Sequence, residues 1–83
     1  MKNIKLKDEL NLIPNDTVIV VEDRSIMTNS QYKIVFYGKR FDFVNADACQ
    51  ERYEEYKNRE IDYIDVHNDY NELGEIIIIC RGK

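Results

Sequence analysis

Between Ile61 and Glu75 the chain reads IDYIDVHNDYNELGE, which sets four carboxylates, one histidine and two tyrosines between Asp62 and Glu72. Such a cluster has three chemical uses: it can ligate a metal, move protons, or present negative charge to a cationic partner. Asp65, His67, Asp69 and Asn71 stand at the alternating ligand positions of a calcium loop. The register then fails, because the turn position that needs glycine holds Tyr70, and the closing position that needs a bidentate glutamate holds Ile76. A zinc site needs three or four ligands, usually His and Cys. One histidine and two distant cysteines, Cys49 and Cys80, do not supply them. No metal and no cofactor is expected.

Proton transfer would require a carboxylate buried enough for its pKa to rise, and nothing in the spacing sets a partner for His67. No nucleophile elbow and no phosphate loop is present. Cys49 falls near a predicted helix start, where a thiolate gains stability, but it lies on the apolar stripe of that helix. Both cysteines are therefore expected as reduced, buried thiols, no catalytic residue is assigned, and an enzyme is not expected.

The remaining use is a charged face. Net charge is −4, and its distribution is uneven: residues 1–41 hold seven Lys/Arg and five Asp/Glu, residues 42–75 hold three and eleven, and Arg81 and Lys83 follow. Asymmetry of this kind bears on partners rather than on fold. Direct nucleic-acid binding needs a basic surface, and the mild excess among Lys2, Lys5, Lys7, Lys33, Lys39 and Arg40 does not predict one. Glu51, Glu54 and Glu55 point away from the apolar stripe of their helix, and Asp62, Asp65, Asp69 and Glu72 continue the negative charge. Tyr63 and Tyr70 would anchor a partner within that field. Carboxylates one helical turn apart stand roughly 6 Å from each other, near the interval of successive phosphates. The face thus suits the cationic groove of a nuclease. The plainer reading is an acidic surface that serves solubility alone.

These residues must be positioned by local elements. Leu6, Leu10 and Ile13 recur at helical spacing, so a short helix is expected over Lys5–Ile13, ended by Pro14. Thr17–Glu22 reads as a strand, Asp23–Ser30 as a polar loop, and Tyr32–Tyr37 as a second strand. Gly38-Lys39 would turn it back into a third, Arg40–Val44. The main helix is expected over Ala46–Asn58, with Ala46, Cys49, Tyr53 and Tyr56 as its apolar stripe and Asp47 with Gln50 as a capping box. Strands at Ile61–His67 and Glu75–Arg81 would flank a turn at Asn68–Gly74. The fold class is α+β: one small domain over 1–83, an antiparallel sheet of about five strands, one main helix on it and a short N-terminal helix.

Ile76, Ile77, Ile78 and Ile79 must point to both faces of the pleat. The last strand is then covered on both sides or meets another chain. A module that dimerises through these isoleucines is the rival function. MKNIKLKDEL has no signal-peptide core and no apolar run is long enough to span a membrane, so a cytoplasmic protein without a membrane partner is expected.

The opening LKDELNLIPNDTVIVVED, followed by a hairpin, a short acidic helix and a closing strand pair, resembles in layout the small proteins of phages and mobile elements of AT-rich Gram-positive bacteria. That pool includes anti-CRISPR inhibitors. The resemblance implies a non-enzymatic inhibitor in the host cell cytoplasm, directed at a basic, nucleic-acid-handling host protein, with a Cas effector nuclease as the sharpest case. It assigns no role to any single residue.

Overall fold

The computed structural model describes residues 4–67 and 74–82. The elements are α1 (Leu6–Leu10), β1 (Val18–Thr28), β2 (Gln31–Lys39), α2 (Arg40–Asn45), a 3-10 turn (Asp47–Cys49), α3 (Gln50–Tyr56), β3 (Ile61–His67) and β4 (Glu75–Cys80). The α+β class holds, but the sheet has four strands and is mixed, in the order β2-β1-β4-β3. β1 pairs antiparallel with β2, β4 pairs antiparallel with β3, and the two central strands β1 and β4 run parallel.

The polar stretch Asp23–Ser30 is not a loop, because β1 continues through it to Thr28. The hairpin turns at Asn29 and Ser30, with φ of 50° and 67°, the double positive φ that a tight two-residue hairpin loop requires. Arg40–Val44 is not a returning strand but lies within the helix α2. β2 instead pairs as far as Lys39, opposite Val18. The helical turn sends Phe43 fully into the core and leaves Phe41 half-exposed. The main helix also comes in two pieces, a 3-10 turn and then α3, and no side chain caps either piece, so the expected Asp47 capping box does not form. Its apolar stripe is as expected: Cys49 and Tyr56 are buried, and Ala46 and Tyr53 pack against the same core.

Helices this short depend on partners for their orphan backbone groups. The first amides of α1, at Leu6 and Lys7, donate to the carbonyls of Arg59 and Lys57 at 2.9 Å each. Those carbonyls lie just past the end of α3, so two helix ends satisfy each other. The first amides of α2, at Arg40 and Phe41, donate to Thr17 and Asn15 at 2.9 and 3.1 Å. The Arg40 side chain ties the same loop through the Ile13 carbonyl at 3.0 Å.

Register separates the two faces of the sheet. One carries the rows Phe36–Val21–Ile78–Ile64 and Gly38–Ile19–Ile76–Val66. Leu6, Leu10, Ile13, Phe43 and Tyr56 pack onto the central part of this face, with Val35 and Phe36, to form the core. Phe36 stacks on Phe43 at 4.7 Å, and Phe43 meets Tyr53 edge-on at 5.6 Å. Gly38, at φ 156°, leaves the space that the Phe36 ring fills, since a Cβ there would sit 2.9 Å from the ring.

The opposite face carries Ile34–Glu22–Ile79–Tyr63 and Tyr37–Val20–Ile77–Asp65, and none of these joins the core cluster. Ile78→Ala should therefore cost about 3 kcal/mol, as a buried isoleucine does, and Ile77→Ala only about 1 kcal/mol. Gly38→Ala should cost more than 1 kcal/mol through strain and overlap with Phe36. Urea denaturation of the three variants measures all of these.

Candidate functional site

Two groupings stand out, one buried and one open. The buried one centres on Asp23, which is 1% exposed. Its row at the end of the core face is Lys33–Asp23–Cys80–Ile61. One carboxylate oxygen accepts the Ser25 amide at 2.8 Å and the Ser25 hydroxyl at 2.5 Å. The other accepts the Tyr56 hydroxyl at 2.5 Å and the Arg59 guanidinium at 2.9 Å. Arg59 also lies 4.0 Å over the Tyr56 ring and reaches Glu55 at 3.5 Å. Gly82 closes the cluster, because a Cβ on it would come 2.4 Å from the Ser25 Cβ.

Burial by itself raises the Asp23 pKa, but the bonds from Ser25 and Tyr56 and the Arg59 charge outweigh it and hold the group at about 2. Burial and the bond donated to Asp23 push Tyr56 up to about 12. Burial likewise lifts the neighbouring Cys80 thiol to about 12, which keeps it protonated and a poor nucleophile. Both Cys49 and Cys80 are free and buried. The cluster is an anchor: it fixes the end of β1 to α3 and to the segment after β4, and every oxygen of its carboxylate is taken. Among the described residues no three His, Cys, Asp or Glu side chains come together to hold a metal ion.

The open grouping is the second sheet face. Ile34 is 53% exposed, Tyr37 60% and Tyr63 47%, while Ile77 and Ile79 are half-buried. Val20 is buried among them. Tyr37 donates to Glu75 across β1, and that carboxylate raises the Tyr37 pKa. Met27, Tyr32, Ile34, Glu22 and Ile79 line a hollow of about 500 Å³ at one end of this face.

The expected site residues divide between the two layers. Glu51, Glu54 and Glu55 are exposed on α3, on the core side of the sheet. Glu54 pairs with Lys57 at 2.8 Å, and Glu55 with Arg59. Asp62 pairs with Arg24 and, at 3.2 Å, with Arg81, and these cations lower its pKa against the cost of desolvation. Asp65 is exposed and accepts the Val66 amide at 2.9 Å. Tyr63 and Asp65 belong to the open face. Asp69, Tyr70 and Glu72 lie outside the described residues.

Among the described residues, the acidic side chains of α3 and Asp65 thus fall on opposite sides of the sheet. The four isoleucines split as well: Ile76 and Ile78 face the core, and Ile77 and Ile79 the open side. Because β4 is a central strand, its edges are already paired, and self-association through it would have to use the face. Sequence reasoning passed over Glu22, Ile34 and Tyr37 on the open face and the Asp23 anchor. The doubly apolar run TVIVVE was the available signal for the open face.

Comparison with family models, curated proteins and solved structures gives no match. No described helix is long and apolar enough to cross a membrane.

Asp23 has a folded pKa below its ordinary value of 3.8, so it stabilises the fold above about pH 4, and that contribution, about 2 kcal/mol, is lost as pH falls toward 2. Asp23→Asn should cost about 2–4 kcal/mol at pH 7 by leaving Arg59 uncompensated. It should also flatten the acid limb of stability against pH, measured by denaturant titration between pH 2 and 7.

Proposed function

We propose that this protein is a non-enzymatic protein-binding module whose contact surface is the open face of its sheet. The observation that carries the reading is the character of the two central strands. VIVV in β1 and IIII in β4 are the continuous apolar runs of strands covered on both sides. Yet the described helices cover only one side. Exposed isoleucine and tyrosine side by side form an apolar and aromatic patch of the kind that marks a protein interface.

An inhibitor of a basic, nucleic-acid-handling protein, in the manner of an anti-CRISPR, is the sharper form of this reading. Its support is the eleven Asp/Glu against three Lys/Arg over residues 42–75, of which Asp65 and Glu75 stand on the open face. It would act by occupation, without turnover. Self-association is the rival occupant of the same face, through Ile77 and Ile79.

Affinity capture from the cell of origin, with matched variants, tests the assignment. Tyr37→Lys and Tyr63→Lys, both at exposed positions, should each reduce recovery of the captured partner about tenfold or more, the loss of an interface hot spot. Glu51→Lys with Glu54→Lys should leave it within about twofold, an exposed-charge effect. The reverse pattern would move the contact surface to α3. Light scattering should show a monomer; a stable dimer dissolved by Ile77→Lys would give the face to a second copy.

A further inference from the structure

Resting on the assignment of the open face as the contact surface, we infer that its occupant is a cationic protein segment presenting an aliphatic or aromatic side chain beside Lys or Arg. Glu22 is the residue that points to it. This glutamate sits on a central strand, directly between Ile34 of β2 and Ile79 of β4. It is half-buried, and its carboxylate makes no hydrogen bond or ion pair among the described residues. A carboxylate held among isoleucines without a counter-charge weakens the free protein. A β-branched residue would suit the position better for folding alone.

The hollow of about 500 Å³ lies beside it, walled by Met27, Tyr32, Ile34 and Ile79. It is large enough for one apolar side chain and has Glu22 at its lip. A cation next to that side chain would give Glu22 its missing partner in a setting that binding dries out.

Charge on the rest of the face selects among occupants. Glu22 and Asp65 stand on it, with Glu75 and Lys39 on the flanking row Lys39–Val18–Glu75, and Arg24, the next cation along β1, is paired with Asp62. A second copy would bring two such acidic faces together. Phosphates of a nucleic acid or of an anionic membrane would meet the same repulsion. A cationic segment meets complementary charge at Glu22.

Amide NMR titration of the full chain tests this with two probe peptides, acetyl-Lys-Lys-Leu-Phe-Lys-Lys-amide and its glutamate counterpart. The lysine peptide should shift the amides of Glu22, Ile34 and Ile79 saturably, and the glutamate peptide should bind at least about tenfold more weakly. Glu22→Gln should weaken the lysine peptide about fivefold and flatten its salt dependence. Glu22→Val should raise the melting temperature by about 2–5 °C while losing the same selectivity.

Equal binding of both peptides to this face, or no effect of Glu22→Gln, would overturn the cationic occupant while leaving the face as a contact surface. Shifts confined to Glu51, Glu54 and Glu55, or no binding to either peptide, would overturn both. Shifts that grow with protein concentration and no peptide would assign the face to a second copy and overturn the inference.

Discussion

The parallel pairing of β1 with β4 is the constraint on which the rest of the molecule depends. It joins the first strand to the last, so everything between them must loop out and return. The β1–β2 hairpin adds one outer strand and the β3–β4 hairpin the other. The chain leaving β2 at Lys39 must then cross the whole sheet to reach β3 at Ile61. α2, the 3-10 turn and α3 make that crossing, and α1 joins them on the same side. One face is covered as a direct consequence, and the described helices leave the other without cover.

Because the helices are short, their positions are set by contacts rather than by intrinsic stability. The carbonyls that end α3 accept the amides that begin α1, and the Asn15–Thr17 loop accepts the amides that begin α2. Asp23 supplies the polar counterpart: a buried carboxylate on the central strand receives the hydroxyl of Tyr56 from α3 and the guanidinium of Arg59 beyond it. That ionic anchor ties β1 to α3, and desolvation of its partners offsets part of what it contributes.

Two carboxylates adjacent in sequence have opposite fates on this frame. Asp23 points into the core face and is saturated with donors. Glu22 points to the open face, between two isoleucines, and makes no bond among the described residues. One holds the fold together, and the other contributes no bond to it. The contrast comes from strand alternation alone, which gives neighbouring carboxylates to opposite sides of the sheet.

Much of the layout was legible in the chain itself. The apolar stripe of Ala46, Cys49, Tyr53 and Tyr56, the strand at Ile61–His67, the strand expected over Glu75–Arg81 that ends at Cys80, and the two-faced character of the isoleucine run follow from periodicities of 3.6 and 2. The concentration of negative charge over 42–75 was equally plain. Tertiary structure decided what local pattern cannot encode. RFDFV alternates like a strand, yet it is helical because Thr17 and Asn15 accept its first amides and the core takes Phe43. Asp23-Arg24-Ser25 reads as a loop, yet it is strand because Tyr56 and Arg59, more than thirty residues on, neutralise the buried carboxylate. The sign and amount of charge were set by sequence; which carboxylates share a surface was set by the parallel β1–β4 ladder, which places α3 on one side of the sheet and Glu22 on the other.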